Sequence, residues 1–213
     1  MIQDIWPKHL DNQYKNLKPG KGDTVFYFQG SSLLARPSGH FNSQNPEENV
    51  LIYPQYDEFV QGIKSSYGDK AVDNFEFIYL LSIDEEHFFL ARKTGSLERG
   101  TFLGEMADSA VHKDMYSFVR GYEFIGVDSF RKAQPREHAY AAITAFHLYG
   151  WYRDNHFCGR CGKPLKHDDK QRMLRCDCCK NMVFPKICPA VIVAVTDLSL
   201  IHISEPTRLD VIS

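Results

Sequence analysis

The first 157 of the 213 residues contain no cysteine, and all six cysteines fall between positions 158 and 188. A disulfide-stapled secreted scaffold spreads its bridges through the fold. The crowding therefore argues against that class and points to a metal site in a reducing compartment. Also missing is any apolar run near the ~18 residues that a membrane helix needs. The N-terminal stretch Met1-Ile2-Gln3-Asp4-Ile5-Trp6-Pro7 lacks a basic segment leading into an apolar one, so no secretory signal is expected there. The chain also lacks the strong positive charge of a general nucleic-acid binder, since its formal net charge is -2. A cytoplasmic protein with no membrane partner is the expectation. Internal repeats and low-complexity stretches are absent as well.

What is present suits a globular protein. The apolar fraction is 43%, and fifteen Phe and eleven Tyr supply ample core material. The charge is divided unevenly. Residues 156–187 carry eight Lys and Arg against three Asp, a net +5 before any thiolate is counted, whereas residues 1–155 carry 16 Lys and Arg against 21 Asp and Glu, a net -5. The basic segment either faces a phosphate-bearing ligand or is the solvated surface of a module too small to build a core.

The N-terminal region reads as strands joined by loops. Thr24–Gln29 is β-rich and stops at Gly30, and Ser31–Ala35 follows closely enough for a hairpin. Residues 36–48, with Pro37, Gly39, Asn42, Asn45 and Pro46, read as loop. Val50–Tyr53 is a short strand. Phe75–Ile83 is a strong one, turned at Asp84-Glu85-Glu86 and answered by His87–Ala91. Residues 101–130 carry only mixed signals. Residues 135–153 form a helix, with Pro135 in its first turn. Its packing face is Ala139, Ala142, Ile143, Phe146, Tyr149 and Trp151.

Cys158-Gly159-Arg160-Cys161 and Cys176-Asp177-Cys178-Cys179 are two C-x-x-C pairs separated by fourteen residues. Two intervening residues let both sulfurs of a tight turn point at one ion. Gly162 lets the backbone turn back. The spacer is long enough for a β-hairpin that sets the second pair opposite the first. Four thiolates at tetrahedral positions make a closed, structural Zn²⁺ site with no open coordination position. Two redox C-x-x-C motifs are a poor alternative, because no βαβ pattern surrounds them. Within the second knuckle Cys178 competes with Cys179, but C-x-C is tighter and matches the first knuckle less well, so Cys179 is preferred. Cys188 reads as an ordinary small core residue. Such a site does no chemistry itself. It replaces a core that thirty residues cannot build.

Residues 151–197 resemble the zinc-ribbon-to-catalytic-domain junction of the NADH pyrophosphatases (NAD diphosphatases) of the Nudix hydrolase superfamily. The residues that carry the resemblance are Trp151, Phe157–Gly162, Arg172-Met173-Leu174, Cys176–Cys179, and the run Phe184-Pro185-Lys186-Ile187-Cys188-Pro189-Ala190 through Val195. A ribbon followed at once by that aromatic–Pro–basic run is far more specific than a ribbon alone. The resemblance implies an α+β protein: a mixed-sheet N-terminal domain (1–134), a linking helix (135–153), a four-cysteine zinc ribbon (154–187) and the first strand of a Nudix α/β/α domain (188–197). It implies hydrolysis of the NAD(H) pyrophosphate to nicotinamide mononucleotide and AMP with Mg²⁺ or Mn²⁺. Some members remove NAD caps from RNA, and members commonly pair as homodimers. The four cysteines match the family's zinc ligands. Phe184 falls at an aromatic position beside the substrate, able to stack on a base or simply to plug the gap between ribbon and strand. Gln171 falls where some members have a substrate-contacting Glu, and Arg131 matches an N-terminal-domain Arg near the substrate.

The family's catalytic signature, Gly-x₅-Glu-x₇-Arg-Glu-apolar-x-Glu-Glu-x-Gly-apolar, supplies the carboxylates that hold the divalent ions. It is absent here. Arg136-Glu137 is followed by His138-Ala139-Tyr140-Ala141, and Gly104-Glu105 leads nowhere. Residues 198–213 resemble the conceptual translation of a transposase-based sequencing adapter. They are expected to be an artefactual tail on a truncated gene, and the chain is expected to be inactive by itself. The apolar run Ala190–Val195 has the character of a strand buried on both faces, and it needs a partner sheet. The rival expectation is a non-enzymatic zinc-ribbon module that binds RNA or a protein through its basic face.

Overall fold

The computed structural model describes residues 5–38, 50–93 and 118–186, together with the backbone of 195–197 and 200–202; at 131–132 it describes only the backbone. The protein is α+β, with a mixed sheet and a cluster of four cysteines. The strands are β1 (Leu10–Asp11), β2 (Thr24–Gln29), β3 (Ser32–Ser38), β4 (Val50–Ile52), β5 (Phe75–Ile83), β6 (Glu86–Lys93) and β7 (Glu123–Gly126). They form one seven-stranded sheet in the order β1-β5-β6-β2-β3-β4, with β7 also paired to β3. All pairs are antiparallel except β2 with β6, which run parallel from Thr24↔Phe88 to Tyr27↔Ala91.

Helix α1 (Tyr56–Tyr67) covers one face of this sheet and helix α2 (Arg136–Asp154) the other. Alternation along β2 divides the aromatic side chains between the two layers. Phe26 and Phe28 join the α2 side, while Val25 and Tyr27 join Phe59 and Ile63 of α1. A sheet buried on both faces has no polar face to keep. This is why β2, β5 and β6 read as near-continuous apolar runs rather than as alternating ones. A register shift between Tyr79 and Leu81 lets β5 bury both Leu80 and Leu81 on the α2 side.

The hairpin expected at Gly30 is present. Phe28↔Leu33 and Gln29↔Ser32 pair across it, and Gly30 takes a positive φ of 56° that glycine accepts without strain. The strong pair is present too, as β5 and β6 joined by a turn in which Asp84 has φ 53°. Two expectations need correction. Residues 36–38 are strand, not loop, because Arg36, Pro37 and Ser38 pair with Ile52, Leu51 and Val50 on the outer part of the sheet, where a proline is tolerated; residues 39–49 lie outside the described set. Pro135 stands one position before helix α2 rather than inside it. Val195–Asp197 pairs with Leu200–His202, within the stretch assigned to an adapter, while residues 190–194 of the apolar run lie outside the described set.

Of the helix face read from the sequence, Ala139, Ala142 and Trp151 are buried, while Phe146 and Tyr149 flank the contact and pack on Phe28 at 5.5 and 5.2 Å. The closest approach is made by small residues: Ala139, Ala141, Ala142 and Ala145 are all buried. Helix α1 went unread. Its start does carry a signal, since Glu58 accepts a hydrogen bond from the Gln55 backbone N–H at 3.1 Å, half of a capping box. No described helix is long and apolar enough to cross a membrane.

A second sheet, β8 (Leu165–His167), β9 (Leu174–Cys176) and β10 (Met182–Val183), follows α2 in the order β10-β9-β8. Leu174 enters the main core, and Leu165 and Val183 pack against it. Polar contacts fix this docking. His167 lies between the Tyr152 hydroxyl, 2.7 Å from Nε2, and the Tyr14 hydroxyl, 3.4 Å from Nδ1. Arg172 donates from Nη2 to the Leu80 carbonyl and lies over the Tyr14 ring. Arg92, paired with Glu76 at 2.6 Å, lies over the Tyr152 ring at 5.1 Å.

Burial lowers the pKa of His167 below its ordinary 6.5, because the charged ring would lose its water, and Arg92 and Arg172 add to this while Glu76 and the Asp168 backbone oppose it. The unfolded chain therefore takes up the proton first as pH falls. The docking is fully supported above pH ~6.5 and weakens as pH drops from there toward the folded value. We expect the melting temperature to fall on acidification from pH 7 to 5, and His167→Gln to flatten that dependence. Differential scanning fluorimetry of both proteins across this range checks it, and equal slopes would contradict it.

Candidate metal centre

The two knuckles are built alike, bond for bond. In the first, the Cys158 N–H donates to the Lys163 carbonyl at 2.8 Å and the Gly162 N–H to the Cys158 carbonyl at 2.8 Å. In the second, Cys176 donates to Asn181 at 2.9 Å and Lys180 to Cys176 at 3.0 Å. Both turns need a residue in the left-handed region at the fifth position. Gly162 supplies it with φ 68°, and Lys180 supplies it with φ 58° at a steric cost. The β8–β9 hairpin then sets one knuckle against the other, with Leu165 opposite Cys176.

The result brings Cys158, Cys161, Cys176 and Cys179 together, with their sulfurs all within 4.8 Å of one another. Sγ–Sγ distances are 3.4 Å for Cys158–Cys179 and 3.4 Å for Cys161–Cys176. All four are free thiols. A tetrahedral zinc with bonds of ~2.3 Å spreads its sulfurs by roughly 3.8 Å, so this set accepts Zn²⁺ with small adjustments. Cys158 and Cys176 are buried, and Cys161 and Cys179 partly so. Cys178 is exposed and outside the cluster, in line with the preference for Cys179. Cys188 lies outside the described residues.

The electrostatics favour a cation. The Arg160 N–H, 3.4 Å from the Cys158 sulfur, holds that thiol down at about 6. The Cys179 N–H lowers Cys176 in the same way. The Lys163 N–H draws Cys161 down, but the neighbouring Cys176 sulfur and burial outweigh it and push this thiol up to about 12. Four sulfurs this close do not all ionise unless a positive ion shares the site. The Asn181 amide also reaches the Cys158 sulfur at 3.6 Å. Among the described residues this is the one cluster of three or more His, Cys, Asp or Glu side chains suited to a metal. No carboxylate set for Mg²⁺ or Mn²⁺ accompanies it among them.

The residues expected to contact substrate are placed unequally. The sulfurs gather at one end of the ribbon sheet. The register Val183↔Leu174 puts Phe184 and the 168–172 turn at the other. In that turn the exposed Gln171 donates its N–H to the Asp168 carboxylate at 3.1 Å. Phe184 is 49% exposed, and the Ala190–Val195 run it was expected to meet as a plug has no described side chains. Arg131 lies in a short 3₁₀ helix, Val127–Lys132, and its side chain is outside the described set.

Fold and site define a mixed-sheet α+β protein carrying a four-cysteine, zinc-compatible ribbon. Comparison with known proteins adds a direction. The chain is 36% identical over 55 residues to the NAD-capped RNA hydrolase NudC of Deinococcus radiodurans, covering 26% of this chain and 20% of that protein. It is 33% identical over 61 residues to the protein of the same name from Klebsiella pneumoniae, covering 29% and 24%. It is 39% identical over 46 residues to that of Pseudomonas aeruginosa, covering 22% and 16%. The matches thus span about a quarter or less of the curated relatives, and no protein-family profile matches the chain. They support a family-level likeness to NAD-related Nudix hydrolases.

Two measurements follow. The purified chain should carry one zinc, and Cys161→Ser should lose it and release the ribbon from the sheet. Metal analysis together with a lowered, broadened melting transition would report this, and full zinc retention would contradict it. The backbone argument makes an opposed pair. Gly162→Ala should cost about 1 kcal/mol, although nothing lies within 4 Å of the added methyl, whereas Lys180→Gly should gain roughly 0.5 kcal/mol in denaturant unfolding of the zinc-loaded chain.

Proposed function

We propose that this chain is the N-terminal domain and zinc ribbon of a NAD(H) diphosphatase of the Nudix superfamily. The intact enzyme splits the pyrophosphate of NADH or NAD⁺ into nicotinamide mononucleotide and AMP and also takes NAD-capped RNA. It works in the cytoplasm as a homodimer. The observation that carries this reading is the four-cysteine cluster on a chain whose short matches include proteins named NAD-capped RNA hydrolase.

In this reading the zinc holds structure only. With four thiolates around it, no position is open for substrate or water. The ribbon positions the chain instead. Cys158 and Cys176 tie it shut, His167, Tyr152 and Arg172 dock it on the large sheet, and the segment after β10 leaves it toward residues 188–197, the start of the Nudix domain. Phe184 offers an exposed ring to a base, with Gln171 at the same end of the ribbon and Arg131 as a further substrate contact. The divalent ions of catalysis find no carboxylate set among the described residues, so no hydrolytic step is assigned to this chain. Residues 198–213 remain, in this reading, an adapter-derived tail.

A second reading rests on the net +5 of residues 156–187: a non-enzymatic module that binds RNA or a protein partner. The genomic reading frame beyond codon 197 separates the two. An in-frame Nudix box supports the enzyme, and a natural stop codon supports the module. With added Mg²⁺, the 213-residue chain should show no detectable NADH hydrolysis, and a version extended by the Nudix domain should turn it over. Robust turnover by the shorter chain would overturn this placement of the catalytic residues.

A further inference from the structure

We propose that the outward face of the ribbon sheet is a track for a single strand of RNA. The proposal rests on the reading above, and it places the body of a capped RNA on this chain rather than on the catalytic domain.

The register of the ribbon sheet separates its two faces. Lys166 pairs with Arg175, and Arg175 pairs with Met182, so these three form one row across β8, β9 and β10. The neighbouring row, His167, Leu174 and Val183, turns the other way, into the core. Strands lie about 4.8 Å apart, so the outward row is continuous. Lys166, Arg175 and Met182 are all exposed. Phe184 continues the alternation beyond β10 and is exposed too, as is Lys186 two residues further on.

A polar outer face needs no methionine or phenylalanine. Met182 is 54% exposed and Phe184 49%, beside two cations. Aromatic and apolar surfaces interleaved with Lys and Arg are what a single-stranded polynucleotide requires, with bases stacked on the former and phosphates near the latter. The charge distribution favours the same occupant. In a chain of formal net charge -2, residues 156–187 carry +5 from Lys, Arg and Asp, which four thiolates around one Zn²⁺ reduce to +3, so a polyanion is attracted to the ribbon and repelled by the remainder. Asp177, ion-paired with Lys166 at 2.6 Å with both side chains exposed, offsets part of the Lys166 charge, and a phosphate competes with it for the ammonium. The strand runs from Phe184, next to the capped end, across Met182 and Arg175 to Lys166.

The test is fluorescence anisotropy of an unstructured, 5′-labelled RNA of about twelve nucleotides with the zinc-loaded chain, over a salt series. Binding should tighten as salt falls. Lys166→Glu with Arg175→Glu should weaken it and reduce the slope of log K against log salt by about 1.4, the value for two phosphate contacts on a single strand. Met182→Ala with Phe184→Ala should lose about tenfold in affinity with the slope unchanged. Lys21→Glu with Lys70→Glu, exposed on the N-terminal domain, should change neither beyond a general charge effect. Zinc content confirms that each variant is folded, and Lys166→Gln with Arg175→Gln gives a milder second version. Undetectable binding at low salt, equal loss from the N-terminal-domain pair, or equal competition by polyglutamate would overturn the proposal. The last outcome would assign the face to an acidic protein. If the extended protein fails to hydrolyse NADH while RNA binding follows this pattern, the enzyme reading falls and the track stands. Hydrolysis without the pattern means the reverse.

Discussion

The ribbon that follows helix α2 depends on four sulfur atoms converging within 4.8 Å. The ribbon strands are three, three and two residues long. Such strands have too few ladder hydrogen bonds and too little buried surface to hold themselves. Closure of the two knuckles on one ion would turn them into a rigid plate. Docking alone does not achieve this, because Leu165, Leu174 and Val183 anchor only the inner face and leave the knuckles free to open. The metal and the apolar contacts are therefore complementary. An ion held by the four cysteines would fix the internal shape of the plate, while the core fixes where the plate sits.

The way the plate is seated explains a group of residues with no role in metal binding. Tyr14, Tyr152, His167 and Arg172 come from four separate parts of the chain and meet where the ribbon rests on β5 and β6. Arg172 is costly there, since it is largely buried, its Nε lacks a partner among the described residues, and desolvation lowers its pKa. Its hydrogen bond to the Leu80 carbonyl and its place over the Tyr14 ring offset part of that cost. A polar cluster of this kind gives orientation more than stability, because only one placement of the ribbon satisfies all its members.

The sequence was most legible where structure is local. The C-x-x-C spacing fixed the knuckles, and Gly162 marked the first turn. Phe75–Ile83 and its return strand were readable because β-rich runs flanked an acidic turn. What could not be read is non-local. Nothing in Thr24–Tyr27 shows that it runs parallel to Phe88–Ala91, some sixty residues on, and nothing in Glu123–Gly126 names β3 as its partner. Helix α1 was lost because Gly62 and two serines dilute its pattern to Phe59 and Ile63. Gly62 is nonetheless required: a Cβ there would lie 2.7 Å from the Phe118 carbonyl oxygen, so close packing has displaced helix propensity. Lys180 was missed for a similar reason, because a lysine gives no sign that it must take the conformation Gly162 takes.

These two kinds of legibility meet in the ribbon. Its period-two alternation is too short to be read as strand, yet it decides which side chains face the core and which face outward. A one-residue slip of β9 would turn Leu174 out and Arg175 in, burying a guanidinium against Leu165 and Val183. The hairpin between β8 and β9 has fourteen residues between its cysteines and does not fix that register by length alone. The sulfurs do, since Leu165 stands opposite Cys176 only when Cys176 faces Cys161 at 3.4 Å. The four-cysteine cluster thus reaches beyond its own residues. By setting the register, it sends the apolar residues into the core and leaves Lys166, Arg175 and Met182 on the opposite face.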